Sequence, residues 1–517
     1  MSIKEDQAIP IQGAQNSPAP KVLPVIIALM LGMLLAALDQ TIVATALPTI
    51  SADLGGLNHL AWVVTAYLLT ATISTPLWGN LGDLYGRKKL FQGAIIIFLI
   101  GSALSGLSSS MAELIGFRAI QGIGGGGLIV GAQAIIGDVV SPRERGKYQG
   151  IFGGVFGLAS VAGPLLGGFL TQNASWRWVF YINLPIGIIA LFVIAATLHL
   201  PRSSKKHSID YLGTIVLGLG IASMILITTW GGTTYSWTSS TILGLGALSL
   251  VCIIGFIGIE KKAKEPLLPL SLFSNSSFSL TSIVGFMIGF VMFGAIIYLP
   301  TFLQIVFGAT PTNSGLELLP LMGGLILTSI ISGILITKHG HYKIFPIIGT
   351  ALMTGGLYLL SLMKATTSLA TTMEYMFILG LGLGLVIQVL VLIVQNAVPH
   401  SQLGTATSSA SFFRSIGGAF GVSVFGAIFN NRLIHNLPKY LPPTVLSHIH
   451  KGSVALNPAQ LDRLPAPIHN GFTQAFAHSL DIVFLVGVPV ALLAFVVTFF
   501  IKQLPLRDHS YIESLHE

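Results

Sequence analysis

The sequence carries very little charge. Of its 517 residues, 9% are Asp, Glu, Lys or Arg, against about 25% in a soluble globular protein. That deficit excludes a soluble fold, and it is too large for a soluble domain on a single anchor. Cysteine is nearly absent as well. The lone Cys252 permits no intrachain disulfide and no cysteine-based metal site. No Walker-type phosphate loop is present, so ATP is not the direct energy source. No basic patch interleaved with aromatics exists, which excludes nucleic acid as a partner. No catalytic constellation, metal pattern or cofactor motif stands out, so the sequence does not read as an enzyme. A cleavable signal is also missing. Residues 1–20 are polar and Pro-rich and include Glu5 and Asp6, and they read as a cytoplasmic tail.

What the chain has instead is apolar length. Hydrophobic residues make up 53% of it, and the mean hydropathy is +0.82. A bilayer core about 30 Å thick takes about 20 apolar residues per helix. Runs of that kind fall at 22–46, 60–81, 90–110, 113–136, 149–172, 178–200, 211–231, 240–260, 277–303, 315–337, 344–363, 370–398, 405–428 and 480–501. The expected fold is an all-α polytopic membrane protein with 14 transmembrane helices. With the N-terminus inside, 18 of the 26 Lys and Arg fall in cytoplasmic segments and six in external ones. This asymmetry puts both termini in the cytoplasm, and an odd number of spans would destroy it. Arg118 and Arg414 remain inside spans. The one long soluble segment, 429–479, is external and holds His435, His448, His450, His469 and His478. Their spacing matches no ordinary zinc pattern, and the segment reads as a solvated loop.

A weak internal repeat organises the spans. Gly79 to Lys89 aligns with Gly333 to Lys343, placing Gly79 on Gly333, Gly86 on Gly340 and Lys89 on Lys343. In the second copy Thr337 replaces Asp83 and His341 replaces Arg87. Repeated halves mark many transporter folds. The register gives a 1–21 tail, a six-helix bundle over 22–200, two additional helices with linkers over 201–276, a second six-helix bundle over 277–505 and a 506–517 tail.

Several residues carry candidate chemistry. In the 79–89 loop, Gly79 and Gly86 permit a tight turn, and Asp83 can cap a neighbouring helix N-terminus. Asp138, ending the fourth span, can pair with Arg87 across the cytoplasmic surface. Such a weak surface pair suits a gate that must open. Asp39 lies deep in the first span among apolar neighbours. It reads as a proton or cation site, because a low dielectric favours the neutral form of a carboxyl group. The alternative is a helix-end carboxylate wetted from outside. Arg118 needs a partner or a wet cavity. It reads as a coupling residue sensing a nearby acid, or as a structural pair. The same two readings apply to Arg414. Glu317 is placed at the start of the tenth span, where the helix dipole favours an acid; functionally it is a second coupling acid. Gly157, Gly163, Gly167 and Gly168 around Pro164 suit close helix packing in the fifth span.

These motifs resemble those of the major facilitator superfamily. Gly79 to Lys89 resembles its signature loop. Arg118-Ala119-Ile120-Gln121-Gly122-Ile123-Gly124 is similar to its fourth-helix motif. Gly157 with Gly163-Pro164-Leu165-Leu166-Gly167-Gly168 is similar to its antiporter motif. Three further stretches resemble the 14-helix drug:proton antiporter group (EmrB/QacA-type). They are Leu38-Asp39-Gln40-Thr41-Ile42-Val43, Trp176 to Pro185, and Phe413-Arg414-Ser415-Ile416-Gly417-Gly418. The resemblance implies a major facilitator fold and proton-coupled export of drugs or other lipophilic or cationic molecules by alternating access. Its implied partners are a small-molecule substrate, protons and the bilayer of the inner (plasma) membrane, with an accessory efflux subunit as a further candidate. A dedicated exporter of a siderophore, lipid or metabolite is the alternative, and a non-transporting scaffold or sensor a more distant one.

Overall fold

A computed structural model describes residues 22–54, 60–198, 210–232, 234–443 and 465–506. The terminal tails up to residue 21 and from 507, most of the linker after 200, and His448 and His450 lie outside the described residues. Within them the chain forms sixteen α-helices and a single isolated bridge between Gly231 and Tyr235. The helices are α1 Val22–Leu54, α2 Leu60–Tyr85, α3 Arg87–Leu107, α4 Met111–Val139, α5 Pro142–Asn173, α6 Trp178–Tyr181, α7 Asn183–Thr197, α8 Tyr211–Trp230 and α9 Ser240–Glu260. They continue with α10 Ser276–Val306, α11 Pro311–Glu317, α12 Leu319–His339, α13 Ile344–Leu360, α14 Leu369–Ala397, α15 Leu403–Tyr440 and α16 Ala466–Thr498. Among the described residues, twelve spans are long and apolar enough to cross a bilayer. The remaining two of the expected 14 are α13, with 17 residues, and α2, whose 26 residues are diluted by Thr, Ser and Pro76.

Two spans are interrupted where proline withholds an N–H. Pro185 leaves α6 and α7 separated at Ile182, and Pro320 separates α11 from α12 at Leu318. Glu317 therefore closes the short α11 and stands one residue before Leu318, the cap of α12, where the N-terminal end of that helix still favours an acid. Helicity also outruns the apolar runs. The segment 429–479 is helical up to Tyr440 and again from Ala466, so His435, His469 and His478 sit on helices. Asp481 lies well inside α16, where His478 Nδ1 is 3.3 Å away. Hydropathy marks what lipid covers, and a helix needs no lipid to continue into water.

The core falls into two main apolar clusters. One joins α1, α3, α4, α5 and α7 through Met33, Phe91, Phe98, Phe152 and Ile194. The other joins α10 and α12–α16 through Phe302, Leu321, Met353, Leu383 and Phe484. Outward faces stay apolar, as lipid requires: on α9, Leu250, Val251 and Ile254 are all about 60% exposed or more. The additional pair α8–α9 packs by Leu217, Ile221, Ile225 and Phe256 against Leu69 and Ile73 of α2 and Phe412 of α15.

The two bundles meet along two seams of like construction. At one, Gly79 of α2 lies against Gly404 and Ser408 of α15; at the other, Gly333 of α12 lies against Gly146 of α5. A β-carbon at Gly79, Gly404 or Gly333 would collide with the opposing backbone or side chain, and one at Gly146 would be tightly crowded, so glycine is what allows the approach. Gly79 is thus a contact residue within α2 and not part of a turn. The turn belongs to Gly86, with φ 96 and ψ 126. Its counterpart Gly340 has φ 73 and ψ 0. Both lie where an L side chain is strained, and a β-carbon added at either would meet no other atom within 4 Å. Substitution there isolates the backbone cost. Gly340→Ala is expected to destabilise the protein by about 1 kcal/mol, and Gly86→Ala by about 1–3 kcal/mol. Thermal unfolding of the purified variants measures both, and an unchanged midpoint for Gly86→Ala would refute the assignment.

Candidate functional site

Two buried polar networks stand out, one at each end of the first bundle. The first surrounds Asp39, which is fully buried on α1. The sequence places no cation beside it, but the fold does. Arg118, 1% exposed on α4, donates from Nη1 to Asp39 Oδ2 at 2.5 Å. Gln121 Nε2 donates to Asp39 Oδ1 at 2.8 Å, and Asn183 Nδ2 reaches the same oxygen at 3.3 Å. Arg118 is further held by Gln121 Oε1 at 2.7 Å, by the Val63 carbonyl at 3.2 Å and by the Tyr67 ring, 4.4 Å from its centroid. Asn183 also donates to Ser102 Oγ at 3.1 Å.

Local sequence sets this up. Arg118 and Gln121 are three apart, hence on one face of α4. The break before Asn183 turns the start of α7 inward. Gly163 and Gly167 of α5 pack against Thr41, Ile42 and Thr45 of α1, which brings the two helices together one turn beyond Asp39. Gly157 instead faces Ile326 of α12, and Pro164 faces Gly315 of α11. The small residues of α5 thus serve two faces, one within the bundle and one across the seam. Gly168 is partly exposed. Beyond this site, at the end of the bundle near α6, Trp176 Nε1 donates to Asp53 Oδ2 at 2.8 Å, and Arg177 Nη1 reaches it at 3.1 Å. The Trp176 hydrogen bond, followed by that of Arg177, holds the Asp53 carboxyl below its ordinary range.

The second network lies at the basic end, where α2 meets α3 and α4 meets α5. Arg87 bridges two carboxylates. Its Nη2 is 2.7 Å from Asp83 Oδ1, and its Nη1 pairs with Asp138 Oδ1. All three side chains are 5–7% exposed, so this is a buried pair and not the surface contact expected. It also joins the two bundles. Asp83 accepts from the backbone N–H groups of Gly404, at 3.0 Å, and Thr405, at 2.7 Å, and from Thr405 Oγ1 at 3.0 Å. An acid from one bundle thereby caps the first turn of α15 in the other. His400 Nε2 lies 2.6 Å from Asp138 Oδ1 and adds a second link.

The equivalent position in the second half explains why the repeat is degenerate. The cap residue of α15, Gln402, makes no side-chain cap bond, so Asp83 supplies one. Helix α5 begins with Ser141, which caps Glu144 N, and with Pro142, which has no N–H. An acid at Thr337 would therefore find fewer open amides in that first turn. There Arg143 Nε of α5 donates to the Thr337 carbonyl at 3.0 Å, closing the second seam with the opposite charge.

Glu317 and Arg414 join neither network. Glu317 keeps one buried oxygen, Oε2, without a hydrogen-bond partner among the described residues. Sequence alone does not single out Gln121, Asn183, His400 or Thr405. Gln121 and Asn183 lie within stretches that resemble family motifs, which is the signal that could find them, but no local pattern marks the other two.

The sequence matches the family model described as Major Facilitator Superfamily over residues 29–422. It is 41% identical over 485 residues to an uncharacterized MFS-type transporter of Mycobacterium tuberculosis, covering 93% of this chain and 69% of that protein. It is 41% identical over 503 residues to the multidrug transporter protein MdtP of Bacillus subtilis, covering 93% of each. Among solved structures, the proton:xylose symporter XylE superimposes with a TM-score of 0.61 at 15% identity, over 96% of this chain and 99% of that one. At that identity the likeness concerns the fold alone.

Proposed function

The chain belongs to the major facilitator superfamily of multi-pass membrane transporters, and from that membership we propose that it is a proton-coupled antiporter exporting drugs and other lipophilic small molecules by alternating access. The observation that carries this reading is the buried Asp39–Arg118 pair. Arg118 and the Asp39 carboxylate neutralise each other, and Gln121 and Asn183 tie that carboxylate to α4 and α7. A proton arriving on Asp39 cancels the attraction, weakens three links between helices at once, and frees the bundle to tilt. Relatives named as multidrug transporters at this level of identity support the choice of lipophilic cargo.

In this reading the basic end faces the cytoplasm, with both termini on that side, in a bacterial inner (plasma) membrane. The Asp83–Arg87–Asp138 network and the cap on α15 act as a cytoplasmic latch. With the latch made, the carrier is shut toward the cytoplasm and receives protons from outside. Opening requires Asp83 to leave the amides of Gly404 and Thr405.

Substrate-induced proton release tests the reading. Purified protein in weakly buffered detergent solution is exposed to a panel of lipophilic cations, neutrals and anions, with Asp39→Asn as control. Release by the wild type and none by the variant is expected. Folded protein that releases no proton with any compound would count against proton exchange and in favour of a carrier dedicated to one metabolite.

A further inference from the structure

Among the described residues Arg414 is a cation without a partner. No hydrogen bond or ion pair to its side chain is found among the described residues, although it is half-buried within a transmembrane helix. Every other basic residue inside an apolar span is accounted for, since Arg118 is neutralised by Asp39. An intramembrane guanidinium left alone is costly, and the cost persists only where something else occupies its donors for part of the cycle.

Its placement says where that would be. Arg414 lies eleven residues into α15, ~17 Å along it at 1.5 Å per residue, which is the middle of a core about 30 Å thick. Carriers of this architecture hold substrate near the midplane between their halves. Residues 407, 411 and 414, spaced by four and three, share one face of α15, and the first two point to the interface between bundles. Gln395 Nε2 of α14 is 3.3 Å from Thr407 Oγ1 and donates to the Gln133 carbonyl of α4 at 2.9 Å. Ser411 Oγ reaches Gln133 Oε1 at 3.4 Å. This polar layer joins α4, α14 and α15 one turn before Arg414, between it and the basic end of the helix. On the neighbouring helix, Phe286, Phe290 and Phe293 lie partly exposed. Their backbones or rings contact Gly417, Gly421 and Gly418, within two turns of Arg414 on α15.

We propose that Arg414 is a substrate-binding residue that takes an anionic group, so that the preferred cargo is an aromatic amphiphile carrying a carboxylate or comparable anion. This inference rests on the export reading and narrows its substrate class. The planar fork of a guanidinium matches a carboxylate by two parallel hydrogen bonds, and the phenylalanines of α10 supply the apolar surface for the ring system. Asp39 is occupied by Arg118 and offers no competing attraction for a cation in this conformation.

A matched set of fluorescent probes tests it: 1-pyrenebutyrate, 1-pyrenebutanol and (1-pyrenebutyl)trimethylammonium. Binding to the purified full chain in detergent is read as energy transfer from tryptophan to pyrene, with protein-free micelles as blank. The wild type should bind the carboxylate at least about tenfold more tightly than the alcohol, the value of one charge-assisted hydrogen bond. Arg414→Gln should abolish that preference while leaving the alcohol's affinity unchanged. Arg414→Lys should retain part of it, which separates charge recognition from misfolding. A wild type that shows no preference for the carboxylate, or that binds the ammonium probe best, overturns the proposal. So does an Arg414→Gln variant that keeps the preference. Loss of proton-driven transport with the carboxylate preference intact would strike the export reading and leave the anion site standing.

Discussion

Arg118→Gln is expected to destabilise the protein by about 3–5 kcal/mol, whereas Asp39→Asn should cost no more than about 1.5 kcal/mol and yet abolish proton-driven transport. A purely structural ion pair would lose comparably from either side. The asymmetry follows from the cycle proposed for Asp39. A proton site must tolerate its own neutral form, so the fold has to accommodate Arg118 facing an uncharged partner. Gln121 Oε1, the Val63 carbonyl and the Tyr67 ring are in place to do so. No step of the cycle asks for an ionised Asp39 without its arginine. Asn at 39 imitates the protonated state and cannot exchange a proton. In the double variant Asp39→Asn/Arg118→Gln, stability should recover most of the Arg118→Gln loss with transport still absent. Unfolding midpoints in detergent and export driven by a pH gradient in vesicles read the two effects. Equal losses from both single variants, or undiminished transport by Asp39→Asn, would make the pair architectural.

The second large effect concerns Arg87→Ala. It removes the cation held between Asp83 and Asp138 and leaves two buried carboxylates facing each other. The strain is relieved when the seam between α2 and α15 opens and water reaches them. The closed arrangement should lose about 3 kcal/mol relative to the open one, roughly a hundredfold in population. In a Cys252→Ser background, Ser408→Cys reports this. Ser408 is buried where α15 crosses Gly79, so a membrane-impermeant maleimide should label it slowly in the parent. Labelling should accelerate by about two orders of magnitude once Arg87 is gone. Unchanged labelling would mean that the glycine contacts alone hold the seam, with the charges incidental.

The span order and the repeat could be read from sequence because lipid imposes a length and a polarity on each helix separately. Helix ends could not. Hydropathy falls silent at the membrane boundary, while α1, α15 and α16 continue past it, and Pro185 and Pro320 interrupt spans that composition shows as continuous. Single charged residues announced themselves because charge is rare here. Their environments did not, since Asp39 meets groups that lie 79 to 144 positions along the chain. In the sequence Asp39 is isolated for that reason. His400 carries no sequence signal for another: its partner Asp138 sits across the seam, 262 residues away, and a histidine beside a helix start has an ordinary surface explanation.

The two loop glycines bear on how such a chain changes over time. Gly86 and Gly340 retain positive φ, and each ends a helix whose glycine, seven residues earlier, abuts the opposite bundle. Around them the acid and the arginine have given way to threonine and histidine. At the second joint Ser141 and Pro142 already serve the neighbouring helix, so the two joints differ in side-chain chemistry while sharing the bend. Kinship between the halves is therefore better traced through torsion angles and glycine spacing than through shared charges. A search for other duplicated carriers built on those two marks would find halves whose loops no longer look alike.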